Sequence, residues 1–122
     1  MKTLRFIISL IIALTFSLNN IAQTHDYSKM NTALVKTETL KVWGNCDMCK
    51  SRIEKAAKVE GVNKAEWNRE TKVLTIIYNP SKVKSEDIQK IIAASGHDTE
   101  KFKSDDKTYN SLPNCCHYER RK

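Results

Sequence analysis

The order of hydrophobic patterns between residues 38 and 103 constrains the fold more than any other feature of this chain. Residues 38–43 alternate polar and apolar side chains, as a strand with one buried face does. Residues 49–57 then repeat apolar side chains every three to four positions, which is typical of an amphipathic helix. Gly61 follows, and because glycine tolerates positive φ, we expect the helix to end near it.

Two more alternating runs and a second helical pattern follow. Residues 63–67 and 72–79 are separated by the short polar link 68–71, which is typical of a hairpin. A stripe of isoleucines then predicts a helix with Ser85 as its N-cap and Gly96 at its end, followed by a weaker last strand. The stripe consists of Ile88, Ile91 and Ile92.

The resulting order is β-α-β-β-α-β over about 65 residues, which is the split βαβ or ferredoxin-like pattern. It predicts an α+β sandwich in which an antiparallel four-stranded sheet carries two helices on one face. In such a sheet the first and last strands pair antiparallel. The loop at Gly96–His97 is therefore expected beside the loop that carries Cys46 and Cys49.

The N-terminal residues resemble an export signal. Two basic residues precede the 13-residue apolar stretch Phe6–Leu18, and Ala22 offers a small residue for cleavage. The stretch is shorter than the roughly 20 residues that a membrane span needs. We therefore expect a signal peptide over residues 1–22, then a flexible leader over 23–37. The mature protein would be secreted across the inner membrane and be periplasmic if the organism has a periplasm; an uncleaved anchor is the alternative.

The charge of the chain does not favour a nucleic-acid partner. Without residues 1–22, which carry two basic and no acidic residues, 19 basic and 14 acidic residues remain among 100. The lysines are spread along the chain, which is typical of a solvated basic surface. We expect a monomer that binds no nucleic acid and has no stable membrane insertion after signal cleavage.

The chemistry is concentrated in four cysteines. Cys46 and Cys49 form a C-x-x-C pair at the start of the first helix, where free amide groups favour a thiolate. Two thiolates at one point suit a soft, low-coordinate ion such as Cu(I). The same pair also fits a thiol–disulfide oxidoreductase, or disulfides that staple an interaction module.

Two features argue against an enzyme. The residues between the cysteines are Asp47 and Met48 rather than the Gly-Pro usual in thiol–disulfide oxidoreductases, and the surrounding order is βαββαβ. No Ser–His–acid or paired-carboxylate arrangement stands out elsewhere. We therefore expect a metal-binding protein without catalytic residues.

These residues resemble the heavy-metal-associated domain, found in soluble copper chaperones, mercury-binding proteins and the N-terminal modules of metal-exporting ATPases. The resemblance covers residues 38–103 and includes the segments LKVWGNCDMC, EGV, KVLTIIYNP and IIAASGHD. It implies a βαββαβ fold with Cys46 and Cys49 as metal ligands that pass a soft metal on by ligand exchange. Cu(I) is expected first, with Hg(II), Zn(II) or Cd(II) as alternatives. Partners would be metal donor or acceptor proteins such as a metal transporter.

The chain departs from this family at two positions. The family usually has Gly-Met-x-Cys before the first ligand, whereas this chain has Gly44-Asn45-Cys46 and lacks the methionine that packs beneath the loop. Trp43 is the residue expected to cover the gap. Bacterial chaperones often place Tyr after the glycine of the last loop, where this chain has His97. His97 is either a third ligand, a donor to the thiolates, or an exposed loop histidine.

Residues 104–122 form a tail outside the resemblance, with the sequence Cys115-Cys116-His117. This sequence fits a second soft-metal site, a resolving thiol pair, or a site shared with the C-x-x-C pair. A disulfide to the core and free thiols are the alternatives. Residues 104–114 are long enough to return to the loop that carries Cys46 and Cys49, which we call the metal loop. Fully extended, they would span about 36 Å. Two residues are expected to hold the tail on the domain: Leu112 and Tyr118.

Overall fold

The computed structural model of the protein describes residues 34–122. The predicted signal peptide, residues 1–22, and the first part of the predicted leader, residues 23–33, lie outside this part of the chain. Within residues 34–122, no helix has both the length and the apolar character needed to cross a membrane.

The described residues form one antiparallel sheet with helices packed against it. Its strand order is β1-β3-β2, and the predicted α+β class is confirmed. The elements of the domain are strand β1 (Lys36–Lys41), helix α1 (Asp47–Ala57), strands β2 (Val62–Trp67) and β3 (Val73–Tyr78), and helix α2 (Ser85–Ala94). The tail adds helix α3 (Asp106–Asn110) and a 3-10 turn (Asn114–Cys116).

The fourth strand that was predicted over residues 98–103 is reduced to a single bridge. Thr99 pairs antiparallel with Val42, at the end of β1. The amide of Thr99 then donates to the carbonyl of Phe102 at 2.7 Å, so the chain turns and does not extend the ladder. Residues 34–122 therefore contain three strands, with this bridge in place of the predicted fourth, and the pairing of the first and last segments is antiparallel as expected.

Strand β1 begins at Lys36, two residues before the boundary predicted at residue 38. The carboxylate of Glu38 accepts hydrogen bonds from the hydroxyls of Tyr78 and Ser85, each at 2.8 Å. Ser85 was predicted as the N-cap of α2, but it is the first helical residue and Lys84 is the N-cap. Its hydroxyl connects α2 to β1 because it is directed at Glu38 and not at the helix amides.

One hydrophobic core lies between the sheet and the inner faces of α1 and α2. Alternate residues of the strands are buried, as their pattern predicted, and they contact the apolar side chains of both helices. The fully buried members are Leu40, Val42, Cys49, Ile53, Ala57, Trp67, Leu74, Ile76, Ile88, Ile92 and Cys116, with Tyr78 almost fully buried.

Helix α2 is rotated from the predicted stripe at one position. Ile91 is exposed, whereas Gln89 is buried and accepts a hydrogen bond from the amide of Lys101 at 3.3 Å. The chain after α2 folds back over the side of the helix that carries Gln89. Helical periodicity contains no information about this covering segment, so the stripe included Ile91 incorrectly.

The tail packs firmly on the end of the domain near Gly96. Leu112 lies so close to Gly96 that a Cβ added there would sit 2.7 Å from Leu112 Cδ2, and Gly96 also has a φ of +111°. The hydroxyl of Tyr118 accepts from the amide of Asp98 and donates to the carbonyl of Gly96, both at 2.8 Å. Leu112 and Tyr118 are both buried, which confirms that they hold the tail on the domain.

Asp98 is the buried charge that anchors the end of the tail. Arg120 donates to both oxygens of its carboxylate, at 2.7 and 3.0 Å, and the amides of Ser104 and Arg121 donate at 2.8 and 3.2 Å. Burial alone would raise the pKa of Asp98, but the hydrogen bonds from Arg120 and the two amides outweigh it and lower that pKa. Asp98 therefore stays ionised and binds the tail through its charge.

Replacing Arg120 with alanine is expected to destabilise the protein by about 3 kcal/mol or more, because removing one partner of a buried ion pair leaves an uncompensated charge. The free energy of unfolding, measured by urea titration, checks this value. Lys122→Ala, which removes an exposed basic residue of the same segment, is the matched control and should change stability by less than about 0.5 kcal/mol. Equal stability of the two variants would contradict the role assigned to Arg120.

Candidate metal centre

The C-x-x-C pair lies at the N-terminus of helix α1. Cys46 is the N-cap residue with extended backbone angles, and Cys49 follows in the first turn with its side chain fully buried. The first amides of a helix have no partner within it, so this position favours a negative charge on sulfur.

Three sulfurs converge at this point. Cys46 Sγ lies 3.4 Å from Cys49 Sγ and 3.5 Å from Cys116 Sγ. All three sulfurs lie within 4.8 Å of one another, and no other set of three or more His, Cys, Asp or Glu residues among residues 34–122 is placed to hold a metal ion. The separations exceed the sulfur–sulfur bond of about 2.05 Å in a disulfide, and all four cysteines are free thiols.

Two of these sulfurs, those of Cys46 and Cys116, have pKa values shifted in opposite directions. Burial opposes the ionisation of Cys46, but hydrogen bonds from the amide and thiol of Cys49 and from the thiol of Cys116 lower its pKa to about 7. Burial raises the pKa of Cys116, and its neighbours Cys49 and Cys46 raise it further. Cys46 therefore ionises at a lower pH than Cys116 does.

Trp67 fills the space beneath the metal loop. A Cβ added to Gly44 would lie 2.9 Å from two carbons of the Trp67 ring and 3.1 Å from Ile53, so only glycine fits here without displacing the core. The indole of Trp67 also donates to the carbonyl of Val42 at 3.1 Å. The expectation that Trp43 covers the gap is wrong, because Trp43 is only half-buried and Trp67, at the end of β2, takes that place.

His97 is buried and contacts the backbone of Trp43, the residue that precedes Gly44 in the metal loop. Its Nδ1 lies 2.9 Å from the carbonyl of Trp43, and because a carbonyl can only accept, Nδ1 carries the proton. Its Nε2 has no hydrogen-bond partner, and its ring stacks on Tyr118 with centroids 5.3 Å apart. His97 is not part of the three-sulfur cluster, and its complete burial excludes the alternative of an exposed loop histidine.

The two other tail residues that were predicted as candidates are not members of the three-sulfur cluster. Cys115 is exposed and its thiol donates to Met48 Sδ at 3.4 Å. Its sulfur lies 3.9 Å from that of Cys116, its neighbour in the chain. His117 is exposed and packs its ring on Tyr109, with centroids 5.3 Å apart. Of the tail set, only Cys116 therefore faces the C-x-x-C pair.

Asn45 is a site residue that sequence reasoning missed. Its side-chain amide donates to the carbonyl of Cys115 at 3.3 Å, which joins the metal loop directly to the tail. The signal was present in the sequence only as the shortened loop Gly44-Asn45-Cys46. Nothing in that pattern indicates which distant segment the amide would contact.

Together these features define a small α+β metal-binding domain with a thiol pair at the start of its first helix. The sequence profile of the heavy-metal-associated domain matches residues 45–98. The copper chaperone CopZ of Staphylococcus epidermidis is 33% identical over 70 residues, which cover 57% of this chain and 97% of the chaperone. The chain belongs to the heavy-metal-associated domain family, and the residues matched by the family profile include both cysteines of the C-x-x-C pair.

Solved structures agree with this assignment. A CopZ metallochaperone superposes with a TM-score of 0.51 at 33% identity, covering 52% of this chain and 98% of the other. Oxidized MerP from Ralstonia metallidurans CH34 gives a TM-score of 0.51 at 31% identity, covering 54% and 94%. A copper binding domain from HMA7, a P-type ATPase, gives a TM-score of 0.51 at 30% identity. The match covers 52% of this chain and 89% of that domain. The matched profile ends at residue 98, so the tail lies beyond it.

Lowering the pH is expected to destabilise the protein through His97. Burial lowers the pKa of His97 against the opposing effect of its bond to Trp43, so the unfolded chain binds this proton more tightly than the folded one. The contribution of His97 is fully present above its unfolded pKa of about 6.5 and is lost as the pH falls through its lower folded pKa, by at most about 1.4 kcal/mol per pH unit.

Urea titrations at pH 7.5 and 5.5 measure this loss. His97→Asn, whose amide retains a donor near the position of Nδ1, is expected to show a smaller fall in stability between the two pH values. His117→Asn is the matched control because His117 is exposed. Parallel pH dependence in the wild type and both variants would show that His97 does not titrate as its burial requires.

Proposed function

We propose that this protein is an exported carrier of a soft metal ion, with Cu(I) as the preferred ion and Cys46 and Cys49 as its ligands. The observation that carries the proposal is the separation of 3.4 Å between their sulfurs at the N-terminus of α1. Soft thiolates select Cu(I), and the helix N-terminus favours their charge. Family membership and the copper chaperone relatives support the same ion.

Capture would begin at Cys46. Its sulfur is only half-buried and has a pKa of about 7, so it meets an incoming ion as a thiolate. The buried sulfur of Cys49 then binds the same ion and releases its proton to solvent. Transfer would run in reverse, with an incoming thiolate replacing one protein sulfur at a time. No electron is gained or lost, since each step exchanges one metal–sulfur bond for another.

Other ions fit this site less well. Zn(II) usually takes four ligands in a structural site, whereas three sulfurs converge among the described residues. A fourth would have to come from Cys115 or from a partner. Hg(II) and Cd(II) share the preference for sulfur and are alternatives that a competition experiment separates from Cu(I).

The proposed partner is a metal transporter domain with its own exposed thiolates. Solved structures similar to this chain include the copper binding domain from HMA7, a P-type ATPase. Exchange between two such sites needs the metal loop to be reachable, and Cys46 and the exposed side chain of Met48 lie on the open side of the cluster. A monomeric protein leaves this side free for the partner.

Export is supported by the apolar stretch Phe6–Leu18 and the small residue Ala22. Expression of the full chain, followed by cell fractionation, is expected to place the protein outside the cytoplasm. The intact mass of that material should correspond to a chain that begins at Gln23. Protein that stays in the cytoplasm with residues 1–22 attached would contradict the proposal of export.

The double variant Cys46→Ser, Cys49→Ser is expected to lose stoichiometric Cu(I) binding, because the remaining sulfurs cannot form the site at the helix N-terminus. Anaerobic competition with a chromophoric Cu(I) chelator measures the affinity, and Cys115→Ser is the control that removes an exposed thiol. Wild-type affinity in the double variant would overturn the metal proposal. Catalytic turnover of a disulfide substrate with a dithiol donor would favour the thiol–disulfide oxidoreductase instead.

A further inference from the structure

We propose that Cys116 is a built-in third ligand, so that this protein holds its ion between three thiolates in trigonal coordination. The inference rests on the proposed function and adds to it a ligand from the tail, which lies beyond the matched family profile. The ion would therefore be sequestered more tightly than a two-thiolate pair allows, and transfer would require displacement of the tail sulfur.

The spacing of the sulfurs fits three-coordination. With metal–sulfur bonds of about 2.3 Å, as in zinc thiolates, three sulfurs in a plane around one ion lie about 4.0 Å apart. Cys116 Sγ is 3.5 Å from Cys46 Sγ, and the three sulfurs span no more than 4.8 Å. Movements of about half an ångström would therefore place all three around an ion. Such shifts need only small side-chain rotations.

The tail fixes Cys116 from both sides. On one side Leu112 packs against Gly96, and on the other the hydroxyl of Tyr118 binds the backbone of Gly96 and Asp98. Between these anchors the amide of Cys116 donates to the carbonyl of Pro113 at 2.8 Å and closes the 3-10 turn. The third ligand is therefore already ordered before metal binding, which reduces the entropic cost of recruiting it.

Positive charge beside the cluster offsets part of the negative charge that a third thiolate would add. Three thiolates around Cu(I) carry a net charge of −2, which is costly in a buried site without compensation. The guanidinium of Arg52 lies 3.5 Å from Cys116 Sγ and supplies a positive charge on that side. The N-terminus of α1 provides partial positive charge on the side of Cys46 and Cys49.

The adjacent cysteines of the tail have opposite environments. Cys116 is fully buried within the cluster, whereas Cys115 is exposed and contacts Met48. The backbone therefore buries one sulfur in the cluster and leaves the next one exposed at its edge, 3.9 Å from Cys116 Sγ. This difference favours a three-thiolate site shared with Cys46 and Cys49 over a separate site formed by Cys115 and Cys116. Substitution of Cys115 therefore serves as a matched control.

Binding of the third sulfur exchanges a proton for the metal ion and involves no oxidation or reduction. The thiol of Cys116 loses its proton to solvent as its sulfur forms a bond to Cu(I), and the copper stays in the +1 state. Release to a partner breaks this bond, and the incoming thiolate takes the vacated position while Cys116 regains a proton.

X-ray absorption spectroscopy of the Cu(I)-loaded protein, prepared anaerobically with one equivalent of Cu(I), tests the proposal. We expect three sulfur ligands per copper in the wild type, three in Cys115→Ser and two in Cys116→Ser. Two sulfurs in the wild type, or three in Cys116→Ser, would overturn it. The wild-type measurement decides the coordination number even if a variant at the buried position fails to fold.

Affinity and transfer give a second readout. Cys116→Ser and Cys116→Ala are expected to bind Cu(I) at least about 10-fold more weakly than wild type, since loss of even an outer-shell partner of a metal ligand typically costs 10- to 100-fold. Both should also deliver Cu(I) faster to an excess of chelator. Unchanged affinity and rate in both variants would contradict the proposal. The two proposals fail differently, since a protein that binds Cu(I) through two sulfurs retains the proposed function and lacks only the third ligand.

Discussion

The buried carboxylate of Asp98 is the interaction on which the arrangement of this domain depends. Its side chain has no solvent exposure, and Arg120 binds both of its oxygens. The backbone of the same residue accepts a hydrogen bond from the amide of Trp43, which precedes the metal loop, and donates one to Tyr118 in the tail. One residue thus joins the end of β1, the loop after α2 and the tail.

This junction determines what the metal centre is. The C-x-x-C pair lies at the start of α1, but the third sulfur belongs to a residue 70 positions after Cys46 in the chain. Its position follows from Tyr118 and Leu112, which are buried against the loop at Gly96. A third sulfur joins the two of the C-x-x-C pair because the tail is held by a buried charge and by packing.

The sequence predicted the parts of the fold that depend on local periodicity. Alternation identified the strands and the hairpin, and helical spacing identified α1 and α2, because each pattern reflects which side of an element faces the core. The predictions failed where a distant segment provides the cover. Gln89 is buried and Ile91 exposed because the chain folds back after α2, and Trp67 rather than Trp43 lies under the loop.

The sequence by itself determined the α+β architecture, the membership of the family and the position of Cys46 and Cys49 at a helix N-terminus, since all three follow from short-range patterns and a motif. Only the tertiary structure decided between the adjacent cysteines of the tail. Cys115 and Cys116 are chemically identical, and which one faces the site depends on the backbone path between two anchors. That path is set by long-range packing, which sequence patterns do not encode locally.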